Sequence, residues 1–280
     1  MRIGVIGLGA IGGVVAQRLS QKPDLATRDQ PLRAGAYDFI LLCTRTTDLE
    51  SALAPAAPLL AADGAVVCLQ NGLPEERAAR IVGRGRVLGA VIGWSADRSG
   101  EITGKGKFIL GGDSPRLPEA AGLLRHVFPV RVTQNLQGAR WSKLAMNCAM
   151  STLGAVSGLS LGEMAASRRV RGLALQVMRE VVDIAKEKAV RMERVSGLRP
   201  DKLVSAPTFV GHAAIWLAVR GRTRQRTGMI ARLRAGRSAG IEDLNALIPG
   251  PINQALTAMV REIEAGKRPI DPRNLDDLPR

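Results

Sequence analysis

The chain has 280 residues, enough for one large domain or two ordinary ones. Of these residues 46% are hydrophobic and 23% are charged, a composition that excludes a disordered chain. Its net charge of +15 suits an anionic ligand, but only 3% of the residues are aromatic and no binding module is recognisable, so we expect no nucleic-acid partner. No apolar run reaches the roughly 18 residues that a membrane span needs, so we expect a cytoplasmic protein with no membrane partner.

The chain opens with the pattern of a strand, a glycine turn and a helix. Residues 2–6 are predicted to form a buried strand, and a helix is predicted from about Ala10 to Ser20. Between them, Gly7-Leu8-Gly9-Ala10-Ile11-Gly12 has the spacing GxGxxG. In this setting the glycines allow a tight turn, the approach of a pyrophosphate and close packing of the helix. We therefore predict a dinucleotide site here; a turn used only for packing is the alternative.

The next stretch is shorter than an ordinary dinucleotide fold requires. Only about 18 residues separate the first helix from the strand pattern at 38–43, and they include Pro23, Pro31 and Gly35, which disfavour a helix. No convincing acidic residue is present to bind a ribose 2′-hydroxyl, whereas Arg28 lies where a cation would meet a 2′-phosphate. The sequence therefore favours NADP(H) over NAD(H).

Strand and helix patterns alternate over the rest of the first half. Strands are predicted at residues 39–43, 65–69 and 87–92. A helix that ends near Leu60 is predicted between the first two. This alternation predicts an α/β fold of the Rossmann type, a doubly wound parallel sheet that is shortened between its first helix and its third buried strand and binds its ligand at the carboxyl ends of the strands. Arg45 and Asn71 each follow a strand directly, which makes them candidate ligand contacts.

The second half of the chain has a different pattern. A pair of short strands around residues 100–109 is expected to close the sheet, and from about Asn135 onward the patterns are nearly all helical. We therefore predict a dinucleotide-binding Rossmann-like domain over residues 1–134 and an all-helical substrate and catalytic domain over residues 135–280.

A polar stripe marks the first helix of this second domain. Lys143, Asn147 and Ser151 are spaced four apart in an otherwise apolar stretch, which places them on one face of a helix. A lysine held beside hydrogen-bonding groups, partly out of water, is suited to donating a proton to a carbonyl oxygen. A solvated polar face with a surface lysine is the alternative that this helix alone leaves open.

Taken together, four segments resemble the ketopantoate reductase family (2-dehydropantoate 2-reductases): Gly7–Gly12, Gln70–Gly72, Trp141–Leu144 with Asn147, and Leu233–Arg237. The resemblance implies an NADPH-dependent reduction of a 2-oxo acid to a 2-hydroxy acid. It also implies that Lys143 donates the proton. The substrate contacts that it implies are Asn71 and Asn147. Ser151, Thr227 and Glu242 are further candidate substrate contacts, at or beside positions where this chain departs from the family. The cofactor contacts that it implies are Gly7, Leu8, Gly9, Ala10, Ile11, Gly12, Arg45, Asn71 and Ala96; Arg28 is added to them because of its position, since the resemblance does not extend over residues 22–37.

Several positions depart from the family pattern. Ser151 replaces a helix asparagine, Leu161 replaces another, and Gly228 replaces the serine expected beside Thr227. The family's glutamate falls on Gly240, and Glu242 would take its place only with a local shift of the backbone. Because a site built to bind a hydroxyl loses its preference when those partners disappear, we expect a small-molecule substrate other than ketopantoate, anionic or a less polar carbonyl or imine.

Two other functions remain open from the sequence. The β-hydroxyacid dehydrogenases and imine reductases also join a glycine loop to a helical domain, and Gly138, Lys143 and Asn147 loosely resemble their lysine–asparagine helix, although Trp141 fits ketopantoate reductases better. A non-catalytic dinucleotide-binding protein is the second alternative, because the adenosine side of the fold is shortened.

The remaining polar features are less specific. The three cysteines and two histidines lack metal-ligand spacing, so no metal site is expected. Arg220–Arg237 contains seven arginines and no acidic residue. A solvated helix face is the simpler interpretation of this segment, and binding of a substrate carboxylate is the alternative. The sequence leaves a homodimer open.

Overall fold

A computed structural model describes residues 1–19, 23–27, 30–96, 100–103, 106–219 and 224–279. Arg28, the predicted contact to a 2′-phosphate, lies outside the described residues. The chain forms two compact units, Met1–Leu136 and Gln137–Arg280. Among the described residues, no helix is both long and apolar enough to span a bilayer.

The first unit combines a central sheet with short helices. Its strands are β1 (Ile3–Ile6), β2 (Asp24–Ala26), β3 (Tyr37–Leu42), β4 (Leu60–Cys68), β5 (Val87–Ile92), β6 (Ser95–Ala96), β7 (Ile102–Thr103), β8 (Phe108–Gly111) and β9 (Val130–Val132). Its helices are α1 (Ala10–Arg18), α2 (Leu49–Leu53), α3 (Glu75–Val82) and α4 (Leu117–Arg125), with 3₁₀ turns at Thr46–Asp48, Ala57–Leu59 and Arg84–Arg86.

The main sheet has seven strands in the order β2-β1-β3-β4-β5-β8-β9. Neighbouring strands are parallel except β5 and β8, and β6 pairs with β7 in a separate antiparallel ribbon. Side chains alternate across the sheet: Phe39 and Leu41 of β3 join the core on one face, whereas Ile40 and Leu42 join the core on the other. Burial on both faces explains the continuous apolar runs of these strands. The predicted Rossmann-type sheet is confirmed. The prediction that two short strands around residues 100–109 close it is wrong for the first strand, since β7 pairs with β6 and only β8 joins the main sheet.

Local contacts stabilise the edge strand β2 and the shortened segment that joins it to β3. Leu32 is buried and lies over Gly4, where a Cβ would come within 2.8 Å of the leucine side chain. Asp24 of β2 accepts hydrogen bonds from the Tyr37 hydroxyl at 2.6 Å and from the Arg2 guanidinium at 2.8 Å. These two donors, the tyrosine first, lower the pKa of Asp24. An ionic cluster therefore attaches the edge strand β2 to β1 and β3.

The second unit is built from helices. They are α5 (Leu136–Met146), a π turn (Asn147–Ser151), α6 (Thr152–Ser157), α7 (Leu161–Ala166), α8 (Arg168–Glu187), α9 (Pro200–Ser205), α10 (Thr208–Ala218), α11 (Gly228–Arg234) and α12 (Pro251–Glu264), with 3₁₀ turns at Ile241–Asp243, Asn245–Leu247 and Pro272–Asp276. The amphipathic helix α8 packs against α9, α10, α12 and the π turn, and α6 packs against α11 and α12. The helical character predicted for this half of the chain is confirmed.

Candidate active site

The glycine turn joins β1 to α1 in a conformation that requires its glycines. Gly7 has φ +94°, in the region that favours glycine, and a Cβ there would stand 2.8 Å from the backbone nitrogen of Thr44. Gly12 is buried directly against the carbonyl group of Gly7 and the side chain of Cys43. These two glycines bring the start of α1 close to β1 and to the end of β3.

Gly9 serves a different purpose, because it faces open space. A Cβ built on Gly9 would meet no atom within 4 Å. Gly9 is also the N-cap of α1 and makes no side-chain cap, so the first turn of the helix keeps backbone N–H groups that have no acceptor within the helix. An open approach to a helix N-terminus fits a pyrophosphate, which accepts hydrogen bonds from such groups and is stabilised by the helix dipole.

The loops that follow β3 and β4 lie beside this turn. The two strands are parallel neighbours, with Leu42 opposite Cys68, so Arg45 and Asn71 follow adjacent strand ends. The hydroxyl of Thr46 donates a hydrogen bond of 2.8 Å to the carbonyl oxygen of Asn71 and ties the two loops together. The structure therefore brings Arg45 and Asn71 to the carboxyl edge of the sheet, where the glycine turn lies.

Two predicted cofactor contacts have defined partners of their own. Arg45 is half-exposed and its Nε lies 2.8 Å from Oδ2 of Asp48, in an ion pair within the same loop. Ala96 lies in β6, which contacts α1, and packs against the core of the first unit. Leu8 is exposed, whereas Ile11 packs against the core.

Two residues of this edge were not predicted from the sequence. Thr46 is buried, and its hydroxyl links the two loops described above. Cys43 lies against the glycine turn, and burial raises the pKa of its thiol to about 12, so the group stays neutral beside the proposed phosphate position. Their position directly after the strand β3 is the signal that marks both residues.

In the second unit the helix that carries the predicted polar stripe is interrupted by a π turn. Lys143 lies in the last turn of α5, Asn147 begins the π turn and Ser151 ends it; all three are half-buried. In an uninterrupted α-helix, eight residues would rotate Ser151 by about 80° away from Lys143. A π turn adds about one residue to the turn, or about 100° of compensating rotation, and keeps Ser151 near the stripe.

The structure groups Thr227 with this stripe. The Thr227 hydroxyl donates a hydrogen bond of 3.2 Å to the carbonyl oxygen of Ser151. The adjacent Gly228 is exposed, and a Cβ there would meet no atom within 4 Å. Glu242 instead pairs with Arg261, with two N–O distances of 2.8 Å, and half of its side chain is exposed.

Beneath the π turn lies a buried polar network that was not predicted from the sequence. Asn245 and Thr152 are completely buried, and the Asn245 amide donates a hydrogen bond of 3.0 Å to the carbonyl oxygen of Cys148. The sequence gives no signal for it, because Asn245 lies in a short 3₁₀ turn 97 residues from its partner.

Comparisons with known proteins agree on one family. The model of the family described as ketopantoate reductase PanE/ApbA matches residues 22–114, and the model of its C-terminal domain matches residues 135–264. A relative from Mesorhizobium japonicum, 2-dehydropantoate 2-reductase, is 25% identical over 94% of this chain and 98% of its own length.

Solved structures show the same fold. A PanE/ApbA family ketopantoate reductase from Ralstonia eutropha superimposes with a TM-score of 0.75 at 24% identity, covering 95% of this chain and 99% of that one. A complex of D-mandelate dehydrogenase with NADH superimposes with a TM-score of 0.78 at 16% identity, with the same coverage of 95% and 99%.

Proposed function

This chain belongs to the ketopantoate reductase family, and we propose that it uses NADPH to reduce the carbonyl group of a small 2-oxo acid, or of a related carbonyl or imine compound, with Lys143 as the proton donor. Membership of this family makes the protein an oxidoreductase that binds a nicotinamide dinucleotide. The M. japonicum relative and D-mandelate dehydrogenase act, by their names, on the carbon next to a carboxylate, which supports an acid as the substrate.

Lys143 carries this proposal. It lies half-buried on a stripe with Asn147 and Ser151, at the end of a helix whose other sides are buried. A lysine that is only a solvated surface group needs neither the hydrogen-bonding neighbours nor the π turn that keeps Ser151 on its side. π turns often occur at functional sites, which supports a chemical role for this segment.

Different residues of the chain have different roles in the proposed reaction. When bound, the reduced nicotinamide supplies the hydride that goes to the carbonyl carbon. As negative charge grows on the carbonyl oxygen, the Lys143 ammonium stabilises it and gives up a proton to it. Asn147 hydrogen-bonds the substrate beside Lys143 and fixes its orientation, and the N–H groups at the start of α1 hold the pyrophosphate.

NADPH is proposed over NADH because of the position of Arg45 and the net charge of the chain. Arg45 follows β3 at the edge where the glycine turn lies, and the chain carries a net charge of +15. A 2′-phosphate adds negative charge to the cofactor, which a guanidinium binds well. This preference is tested by measuring the melting temperature at increasing concentrations of NADPH or NADH. A ligand that binds only the folded protein raises the melting temperature, so NADPH should raise it at lower concentrations than NADH.

The substrate is proposed to carry fewer hydroxyl groups than ketopantoate. At two positions where the family has a serine and a glutamate, this chain has Gly228 and Gly240, neither of which offers a side-chain hydrogen bond. Glu242, the nearest acidic residue, is paired with Arg261. A site with these partners missing gives little advantage to a hydroxylated substrate. A panel of 2-oxo acids with and without a hydroxyl group should therefore show faster turnover of the latter.

The proposed role of Lys143 is tested by Lys143→Met, with Lys186→Met as the matched control. Lys186 is an exposed lysine, paired with Asp183 at 3.1 Å in α8. Lys143→Met should lower kcat for reduction of the best 2-oxo acid by about 10²-fold or more, as loss of a general acid does, and should leave the Kd of NADPH unchanged. Wild-type turnover by Lys143→Met would overturn the proposed chemistry and favour a non-catalytic dinucleotide-binding protein.

A further inference from the structure

The π turn Asn147–Ser151 receives hydrogen bonds from side chains outside its own helix. Backbone bonds in a π turn span five residues instead of four, so the regular pairing of the helix is interrupted there. The carbonyl oxygen of Cys148 accepts a bond of 3.0 Å from Nδ2 of Asn245, and that of Ser151 accepts one of 3.2 Å from Thr227. Two other segments of the helical unit therefore supply donors to carbonyl groups of the turn.

Asn245 is completely buried, yet its amide oxygen and both of its amide N–H groups form hydrogen bonds. Its Oδ1 accepts a bond of 2.6 Å from the Thr152 hydroxyl, and its second N–H donates one of 2.8 Å to Oδ1 of Asn253. A hydroxyl donor on one side and two carbonyl acceptors on the other fix the orientation of this amide. A buried network that is satisfied in this way favours one arrangement of the backbone over others.

Asn253 connects Asn245 to two long helices. Its Nδ2 donates a bond of 2.7 Å to Oε2 of Glu180 in α8, and it lies in the first turn of α12. The Glu180 carboxylate also accepts the backbone N–H groups of Ile252 at 2.9 Å and Asn253 at 3.0 Å. A carboxylate at a helix N-terminus is stabilising. Gly250 is required for this contact, because a Cβ there would stand 2.3 Å from the carboxylate carbon.

From this network we infer that Asn245 is a positioning residue for the reduction. It holds the π turn, and the π turn keeps Ser151 on the side of the helix that carries Lys143 and Asn147. The inference rests on the proposed function, since it takes these residues as the groups that meet the substrate. Without the amide of Asn245, residues 147–151 are more stable with the backbone hydrogen bonds of a regular α-helix. That conformation rotates Ser151 by about 100° relative to Lys143.

The test compares Asn245→Ala with Asn274→Ala. Asn274 is also a buried asparagine whose amide donates two bonds of 2.8 Å to backbone carbonyl oxygens, those of Val156 and Pro269. Removing either amide costs stability. Only Asn245→Ala should lower kcat in the folded protein, by about 10-fold to 100-fold, because small misplacements of catalytic groups are that costly. The Kd of NADPH should be unchanged in both.

Thr152→Val provides a milder variant should Asn245→Ala fail to fold. It keeps the shape of the side chain but removes the donor to Oδ1 of Asn245. Loss of one hydrogen bond should lower kcat by about threefold to tenfold, with Thr152→Ser, which retains the hydroxyl, restoring the wild-type value. Equal kcat in wild-type protein, Thr152→Val and any folded Asn245→Ala overturns the inference.

A crystal structure of the folded variant separates this inference from the proposed function. The inference requires the Asn147–Ser151 segment to lose its π turn in Asn245→Ala, or to shift it in Thr152→Val. An unchanged turn overturns it, whatever the activity. Should the wild-type protein reduce no 2-oxo acid, the proposed function fails, while loss of the turn would still support the role of Asn245 in holding it.

Discussion

Gly12 lies so close to Gly7 that a Cβ built on Gly12 would stand 1.9 Å from the carbonyl oxygen of Gly7. No side chain fits there unless the helix moves away from the strand. At Gly9, in the same turn, a Cβ would meet no atom within 4 Å. One turn therefore contains a glycine required for packing and a glycine that leaves room for a ligand, and substitutions at the two positions should have different effects.

Gly9→Ala should leave the fold intact and weaken NADPH binding. The added methyl group meets no protein atom, but it occupies the space through which the pyrophosphate approaches the backbone. A misfit costing about 1.4 kcal/mol or more raises the Kd at least about 10-fold. Fluorescence titration with NADPH measures the Kd, and thermal unfolding checks the fold.

Gly13→Ala is the matched control for Gly9→Ala. Gly13 is exposed in α1, and a Cβ there also meets no atom within 4 Å. Alanine in a helix interior is favoured over glycine by about 0.5–1 kcal/mol, so this variant should be slightly more stable and bind NADPH normally. Equal Kd values for Gly9→Ala and the wild-type protein would show that the open face of the turn is not the phosphate site.

Gly12→Ala should destabilise the first unit. The clash with the Gly7 carbonyl forces α1 away from β1, and overpacking of this kind costs about 1–3 kcal/mol. Urea unfolding measures the free energy of unfolding. An unchanged midpoint would mean that the helix can move without loss, contrary to its close packing in the structure.

The sequence predicts those strands, turns and helices that are determined by residues close together in the chain. The glycine turn and the buried strands follow from residue types that are neighbours in the sequence, such as Gly7–Gly12 and the apolar residues of β3. The helix predicted to end near Leu60 ends at Leu53 instead, because Pro55 and Pro58 lack the N–H group that a helix interior needs. These two prolines are a sufficient signal in the sequence for the earlier end of the helix.

The π turn shows where local patterns fail. The spacing of Lys143, Asn147 and Ser151 predicts a helix, but no residue between them predicts the wider turn that keeps Ser151 beside Lys143. The hydrogen bonds to it come from Asn245 and Thr227, which are far away in the sequence. The partner of Glu242 is equally non-local, because Arg261 reaches it from α12. Such contacts depend on the tertiary packing of the helical unit.

Glu242→Gln should leave the KM for the substrate almost unchanged. Its carboxylate forms a bidentate pair with Arg261, and both side chains are about half-exposed. Exposed ion pairs contribute about 0–1 kcal/mol to stability, so the loss of melting temperature should also be small. Steady-state kinetics with the best 2-oxo acid measures the KM. A rise of 10-fold or more would show that Glu242 leaves Arg261 to bind the substrate.

Gly228→Ser should shift the preference towards hydroxylated 2-oxo acids. The position is exposed and has room for a side chain, so the variant should fold normally. A hydroxyl beside Thr227 restores one hydrogen bond to a polar substrate, which corresponds to about threefold to tenfold in kcat/KM. The ratio of kcat/KM for ketopantoate to that for an unsubstituted 2-oxo acid measures the shift. An unchanged ratio would place Gly228 away from the substrate.

His212 should make the stability of the helical unit depend on pH. Partial burial, followed by the charges of Arg171 and Arg168, lowers the pKa of His212. The Nδ1 atom accepts a hydrogen bond from Arg171 at 3.4 Å, which only the neutral ring can do. The unfolded chain therefore binds a proton more readily than the folded protein, and stability should fall as the pH drops below about 6.5.

The measurement is urea unfolding between neutral pH and about pH 5, which stays above the range where carboxylates such as Asp24 titrate. His212→Gln should abolish the loss of stability over this range, whereas His126→Gln should keep it. The loss should level off once the pH lies below the pKa of His212 in the folded protein, since both states are then protonated. If His212→Gln loses as much stability on acidification as the wild-type protein, other groups set the pH dependence and the arginines beside His212 have no measurable effect on it.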